Sequence, residues 1–137
     1  GGILIPHSVG LLGHSDADVL LHALCDALLG AAGMGDIGTQ FPDTAAEWKG
    51  ADSKELLKLV MIKLTEAGWS VGNVDSTLVM ERPKIMPHVP AMRAVIAAIL
   101  GVGEDAVGIK ATTNEKLGFV GREEGACAHA VALIERK

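Results

Sequence analysis

The chain has 137 residues, a length typical of a single domain built around one hydrophobic core. Hydrophobic residues make up 49% of the chain and charged residues 21%, a composition too apolar for an intrinsically disordered protein. The net charge of -5 argues against nucleic acid as a partner, because nucleic-acid-binding proteins present a basic surface to phosphates. Cys25 and Cys127 lie in separate apolar runs, which predicts free, buried thiols and a reducing compartment. The sequence also predicts neither a signal peptide nor contact with a membrane.

Glycine and proline residues divide the chain into predicted strands and helices. In chain order, the hydrophobic patterns predict the end of a strand at 3–5, helices at 18–32, 53–67 and 91–100, and strands at 71–80, 106–111 and 126–134. Gly33, Gly68 and Gly101 directly follow the helices and predict where they end. These elements predict an α+β fold, namely a ferredoxin-like, four-stranded mixed sheet with helices on one face. The uncovered face of the sheet would need a partner, which predicts an oligomer.

The start of the first predicted helix carries candidate groups for binding phosphate or metal. Asp18 and His22 are four residues apart and therefore share a face of the helix. His14, Ser15 and Asp16 lie at or before its N-terminus, where unpaired N–H groups and the helix dipole favour an anion. The same pattern also fits a simple helix cap at Ser15 or Asp16 with a buried histidine, so both interpretations stay open.

Two irregular loops carry further candidate binding groups. Residues 35–51 show no period and are predicted to form a loop that closes over a ligand, in which Asp36 and Asp43 would bind sugar hydroxyls. Lys84 lies between two prolines in the segment 83–87, a stiff backbone that would hold a charged ligand with little ordering cost. Each loop, taken alone, also fits an ordinary solvated surface segment.

Residues 110–122, at the end of the predicted strand 106–111 and in the loop that follows it, are the richest in chemical groups. They bring together the hydroxyls of Thr112 and Thr113, the carboxylate of Glu115 and the guanidinium of Arg122. Hydroxyl and N–H groups bind phosphate oxygens, and a carboxylate suits a hard divalent cation held between phosphates. This loop therefore predicts a phosphate and metal site.

Six segments together resemble the 2-C-methyl-D-erythritol 2,4-cyclodiphosphate synthases. They are GLLGHSDADVLLHALCDALLGAAGMGDIG, FPDT, GADS, GNVD, PKIMPH and KATTNEKLGFVGR, and they follow the family's order from residue 10 onward. The resemblance covers nearly all of residues 1–137 as one domain. It implies a homotrimer with active sites between subunits. It also implies that the protein is located in the cytoplasm or in the stroma of a plastid.

The resemblance implies a phosphorus-oxygen lyase of the non-mevalonate route to isoprenoids. In its substrate, 4-diphosphocytidyl-2-C-methyl-D-erythritol 2-phosphate, the 2-phosphate attacks the β-phosphorus, expels CMP and closes a cyclodiphosphate. By the same resemblance, His14 and Thr113 are catalytic, His22 binds zinc, and Glu115 binds Mg or Mn. The residues implied to contact the substrate, or to lie near the central channel of the trimer, are Ser15, Asp36, Ile37, Gly38, Phe41, Pro42, Asp43, Met80, Pro83, Lys84, Ile85, Met86, Thr112, Phe119 and Arg122.

The sequence departs from the family pattern in two respects. Family members begin with a strand that ends in an Asp-x-His pair, which supplies the other zinc ligands and has no counterpart in this sequence. We therefore expect the native protein to have further N-terminal residues and a chain starting at Gly1 to be inactive. Asn114 and the pair Glu81-Arg82 are smaller departures. The alternatives are a non-catalytic trimeric module that binds the nucleotide without zinc, and an unrelated ferredoxin-like binding module.

Overall fold

A mixed β-sheet forms the centre of the structure, a computed structural model that describes residues 19–42, 52–81, 85–123 and 125–137. Its strands are β1 (Trp69–Val79), β2 (Val107–Thr112) and β3 (Cys127–Arg136), in the spatial order β2-β1-β3. Strand β1 pairs parallel with β2 and antiparallel with β3. The predicted α+β class and mixed sheet are thus confirmed. The strand predicted at 3–5, which would be the fourth, lies outside the described residues.

The three predicted helices occur in the predicted order, and the described residues contain two further one-turn helices. The helices are α1 (Val19–Ala31), α2 (Ile37–Gln40), α3 (Ser53–Glu66), α4 (Val89–Leu100) and α5 (Gly118–Gly121). Single 3-10 turns occur at Met86–His88 and Glu104–Ala106. Within the described ranges, no helix combines the length and the apolar character needed to cross a membrane.

The end signals of the helices act largely as predicted. The Oδ1 atom of Asp52 caps α3 by accepting a hydrogen bond from the backbone N–H of Lys54 at 2.9 Å. In the first turn of the same helix, Glu55 accepts a hydrogen bond from Lys58 Nζ at 3.0 Å. Gly101 ends α4 with a φ angle of 73°, in the left-handed region that glycine adopts without steric cost.

Three predictions about irregular segments were wrong in part. The predicted loop 35–51 contains α2, and the predicted loop between the last two strands contains α5. Helix α4 begins at Val89 rather than 91, because Pro90 occupies its first turn, where a missing N–H removes no helical hydrogen bond. One-turn helices such as α2 and α5 contain too few residues for a periodic pattern to be visible.

The two faces of the sheet differ in burial. On β1, buried Val74, Ser76 and Leu78 alternate with less buried residues, and α1, α3 and α4 pack with this face into one core. On the opposite face of the sheet, the β3 side chains Val131 and Leu133 are 67% and 57% exposed. The described helices therefore cover one face of the sheet, as predicted, and an apolar strip remains on the other.

Candidate functional site

His22, on α1, is connected to α3 by a hydrogen bond with a buried serine. The imidazole Nε2 of half-buried His22 lies 3.1 Å from Oγ of Ser53, a hydrogen-bonding distance. Ser53 is the first residue of α3 and is 0% exposed, so its hydroxyl is fixed by packing. When Nε2–H donates to this hydroxyl, Nδ1 carries the lone pair that a metal ion requires.

The described residues alone do not fit a zinc site. Zinc sites in proteins use three or four protein ligands. In the ranges that the structure describes, no group of three or more His, Cys, Asp or Glu side chains could hold a metal ion. His22 is thus at most one ligand, and any others would have to come from outside these ranges.

Two aspartates fix the short helix α2 next to α1. Asp26 lies one turn after His22 on α1 and accepts a hydrogen bond from the backbone N–H of Ile37 at 2.9 Å. Asp36 Oδ1 accepts hydrogen bonds from the backbone N–H and the hydroxyl of Thr39, at 2.8 and 2.9 Å. These bonds, the backbone one first, hold the pKa of Asp36 below its ordinary value. Asp36 therefore caps α2 as an ionised carboxylate at neutral pH.

The other residues expected to line a sugar pocket differ in exposure. Phe41 is only 6% exposed and packs in the core, with Lys63 Nζ 5.6 Å from the centre of its ring. Gly38 and Pro42 are exposed, whereas Ile37 is half-buried. Ser15 and Asp43, the remaining predicted members of this group, lie outside the described residues, as does His14, which is predicted to be catalytic.

The ends of β1 and β2 bring two of the predicted site segments together. The backbone N–H of Met80 donates to the carbonyl of Thr112 at 3.0 Å. The next residue, Glu81, accepts hydrogen bonds from the backbone N–H groups of Asn114 and Lys116, at 2.7 and 3.0 Å. The segment beginning at Met80 and the loop that carries the predicted catalytic threonine are therefore neighbours.

The rest of the predicted nucleotide segment is divided between core and surface. Ile85 is 2% exposed and belongs to the core, whereas Met86 is 63% exposed in the 3-10 turn before α4. Pro83 and Lys84 lie outside the described residues. A buried Ile85 can anchor this segment while the exposed Met86 remains accessible to a ligand.

The loop after β2 makes a tight turn at the predicted metal ligand. Glu115 and Lys116 have φ angles of 51° and 64°, in the left-handed region that non-glycine residues rarely adopt. The Oγ1 atom of Thr113 accepts a weak hydrogen bond from the N–H of Glu115 at 3.3 Å. Thr113 and Glu115 are both exposed, so neither side chain is enclosed by the described part of this chain.

Phe119 and Arg122 follow in the one-turn helix α5 and at its end. Phe119 is 50% exposed, and its ring lies against the backbone of Gly125, where an added Cβ would be 3.3 Å away. The backbone N–H of Arg122 donates to the carbonyl of Gly118 at 3.0 Å, and the residue is exposed. Both side chains therefore lie on the surface of the described chain.

Comparison with known proteins identifies the family. The model of the YgbB family matches residues 1–135. The chain is 60% identical over 136 residues to the 2-C-methyl-D-erythritol 2,4-cyclodiphosphate synthase of Parabacteroides distasonis, which covers 99% of this chain and 84% of that protein. The chain belongs to the 2-C-methyl-D-erythritol 2,4-cyclodiphosphate synthase family. The resemblance inferred from the sequence is thereby confirmed.

Solved structures of the cyclodiphosphate synthase family share the fold. The bifunctional IspDF from Campylobacter jejuni superimposes with a TM-score of 0.94 at 43% identity, over 99% of this chain and 37% of that one. A CDP-bound 2C-methyl-D-erythritol-2,4-cyclodiphosphate synthase superimposes with a TM-score of 0.87 at 37% identity, over 98% of this chain and 87% of that one.

Three residues that contact the candidate site of this family member escaped the sequence analysis. Ser53 was interpreted only as the start of a helix and as part of the GADS segment, and Asp26 only as part of the first family segment, although it lies four residues after His22. Glu81 was noted only as a departure from the family pattern. Asp26 had a usable signal in its helical spacing from His22, whereas the contacts of Ser53 and Glu81 join distant parts of the chain.

Proposed function

We propose that the protein converts 4-diphosphocytidyl-2-C-methyl-D-erythritol 2-phosphate to 2-C-methyl-D-erythritol 2,4-cyclodiphosphate and CMP, in the non-mevalonate route to isoprenoids. An oxygen of the 2-phosphate attacks the β-phosphorus, and the bond from that phosphorus to the oxygen bridging to the α-phosphorus breaks. CMP leaves with that oxygen. The observation that carries this proposal is the 60% identity, over 99% of the chain, to a protein named as this synthase.

Intramolecular phosphoryl transfer suits the groups that the chain offers. The substrate contains both nucleophile and electrophile, so catalysis depends on positioning and on neutralising phosphate charge. Thr113 and, from outside the described residues, His14 would donate hydrogen bonds to the phosphoryl oxygens as charge develops on them. The exposure of Thr113 supports this role, since its hydroxyl is accessible to a ligand.

The nucleotide part of the substrate would lie along the segment 80–86 and the end of β2. The hydrogen bond between Met80 and Thr112 supports this role, because it makes the two segments one continuous surface. A relative that shares this fold binds CDP. Lys84, outside the described residues, would add a positive charge beside the diphosphate.

The erythritol part would lie near the short helix α2. Asp36 is exposed and ionised, and one of its carboxylate oxygens is already used to cap α2. The remaining oxygen, Oδ2, suits a sugar hydroxyl as hydrogen-bond donor. Gly38 and Pro42 are exposed beside it, whereas Phe41 would support this surface from the core.

Two divalent ions would supply the charge compensation that an acidic chain lacks. Glu115 would bind Mg or Mn, and its carboxylate chemistry fits such hard cations. His22 would bind zinc through Nδ1, together with ligands from outside the described residues, and Ser53 would hold the ring in place. Bound there, the ions would neutralise the phosphates and orient them for attack.

A homotrimer would cover the open face of the sheet. The apolar strip of Val131 and Leu133 on β3 supports this proposal, because exposed apolar surface of this kind favours association. Phe119 and Arg122 would then lie near the channel at the centre of the assembly. The active site would form between subunits, with His22 and Asp36 from one and Thr112 and Thr113 from its neighbour.

An assay of CMP release tests the function. The protein is incubated with the substrate, zinc and magnesium, and CMP is measured by chromatography. Metal-dependent CMP release is expected. Binding of CDP without CMP release would instead indicate a non-catalytic nucleotide-binding module, and absence of both would reject the assignment.

A further inference from the structure

The carboxylate of Glu81 bridges the end of β1 and the turn that follows β2. Its Oε2 accepts a hydrogen bond from the N–H of Asn114 at 2.7 Å, and its Oε1 accepts one from the N–H of Lys116 at 3.0 Å. Each carboxylate oxygen thus holds one backbone donor. Hydrogen bonds to an ionised acceptor are stronger than those between neutral groups. Glu81 itself is half-buried, whereas Asn114 and Lys116 are exposed and both hydrogen bonds lie at the surface.

The turn that Glu81 holds, residues 113–117, has a backbone that is unfavourable by itself. Glu115 and Lys116 are consecutive non-glycine residues with φ angles of 51° and 64°. Left-handed conformations of such residues cost conformational free energy and persist only where surrounding contacts impose them. Within the turn, Asn114 Nδ2 donates to the carbonyl of Leu117 at 2.8 Å. Glu81 adds two contacts from a different part of the chain.

Helix α5 packs closely against the backbone of this turn. A Cβ atom added to Gly121 would come within 2.0 Å of the carbonyl carbon of Lys116, so α5 approaches the turn at closest range. The turn is therefore fixed on one side by α5 and on the other by Glu81. The side chain of Glu115 projects from between the two N–H groups that Glu81 binds.

We infer that Glu81 is a positioning residue of the candidate site. By holding the N–H groups of Asn114 and Lys116, it fixes the backbone that presents Thr113 and Glu115 to substrate and metal. This inference rests on the proposed function for its effect on turnover. Its structural part does not depend on that function: it is the pair of hydrogen bonds by which Glu81 holds the turn, called the clamp below.

Glu81 also fills an anion-binding position. Consecutive backbone N–H groups in a turn with left-handed residues form a concave site that attracts phosphates and carboxylates. The N–H groups of Asn114 and Lys116 already donate to Glu81, and the N–H of Glu115 between them donates to Thr113 Oγ1, so these donors stabilise the turn and are not available to a phosphate. Removal of Glu81 should therefore loosen the turn rather than improve phosphate binding.

Hydrogen exchange of the backbone amides tests the clamp directly. In the intact protein, Glu81→Ala should speed exchange of the Asn114 and Lys116 amides by about tenfold or more, the effect of losing a charge-assisted hydrogen bond. Glu81→Gln keeps one acceptor oxygen and should give a smaller increase. Glu66→Ala, at an exposed position at the end of α3, serves as the control and should change neither amide. Unchanged exchange in Glu81→Ala, or equal acceleration throughout the chain, would overturn the inference.

Steady-state kinetics test whether the clamp serves the site. Glu81→Ala should lower kcat by about tenfold or more and raise the Mg or Mn concentration needed for half-maximal rate, with Glu81→Gln between it and wild type. A variant with wild-type kinetics, or one with tighter substrate binding, would contradict a positioning role. If wild-type protein releases no CMP, the proposed function fails while the exchange result still decides on the clamp. Glu81→Gln is suitable for both experiments if Glu81→Ala does not fold.

Discussion

The hydrogen bond between His22 and Ser53 can be tested by removing each partner. Ser53→Ala deletes a hydroxyl that is 0% exposed and lies 3.1 Å from His22 Nε2. A hydrogen bond contributes about 1 kcal/mol, and the partner left unsatisfied in a half-buried position adds to that loss. We therefore expect Ser53→Ala to lower the free energy of unfolding by about 1–2 kcal/mol, equivalent to a fall in Tm of about 3–8 °C.

The assay is urea unfolding at fixed protein concentration with a chelator present, so that neither metal binding nor assembly contributes to the difference. A double-mutant cycle with His22→Ala should give a coupling energy of about 0.5–1.5 kcal/mol. Ser70→Ala is the control, because its hydroxyl is 3.4 Å from its acceptor and should be worth less than about 0.5 kcal/mol. Costs of Ser53→Ala and His22→Ala that simply add would refute the reasoning.

Three further predictions concern the metal, the cap of α2 and the assembly. Glu115→Gln should lower turnover by about tenfold or more, and added Mg or Mn should partly restore the rate of CMP release; full activity without either ion would argue against a metal at this position. Thr39→Val removes one donor to Asp36, so its pKa should rise towards the ordinary value in an NMR titration, whereas Thr39→Ser should leave it low. The stabilisation from these hydrogen bonds is present above the ordinary carboxyl pKa and lost as pH falls through the lowered value. Leu133→Glu should dissociate the proposed trimer in sedimentation experiments, while Ile62→Glu, at an exposed position on α3, should not; equal behaviour of the two variants would disprove the proposed interface.

The fold was predictable where the sequence carries a long periodic pattern. Helices α1, α3 and α4 were located within two residues at each end, because their apolar spacing extends over several turns and a glycine follows each of them. The three described strands were located from their hydrophobic patterns, although β1 begins at Trp69 and β3 continues to Arg136. Helices α2 and α5 were missed because their stability comes from local hydrogen bonds, such as the cap by Asp36, rather than from a periodic face.

The sequence shows the candidate groups of the site directly, but it does not show the residues that support them. Loop residues such as Thr113 and Glu115 combine chemical groups within a few positions, which a sequence shows directly. Their support by Glu81 joins residues 33 and 35 positions apart, and the contact of Ser53 with His22 spans 31 positions. No local pattern encodes such contacts, because they exist only once the strands and helices have packed.

The sequence match and the structure bear on different parts of the function. Identity of 60% to a named synthase supports the reaction as a whole. The structure of the described residues shows how individual groups are held, for example Asp36 as the cap of α2 and the turn at Glu115. The roles of the site residues stay predictions, both for the described ones and for His14, Ser15, Asp43, Pro83 and Lys84, which lie outside the described residues.

The synthase reaction is tested most directly by phosphorus NMR of the substrate incubated with the native protein, zinc and magnesium. Intramolecular attack on the β-phosphorus predicts that the signals of the substrate disappear as those of CMP and of a cyclic diphosphate appear in equal amounts. Release of CMP together with a linear phosphorylated product, or a spectrum that does not change, would contradict the proposed reaction.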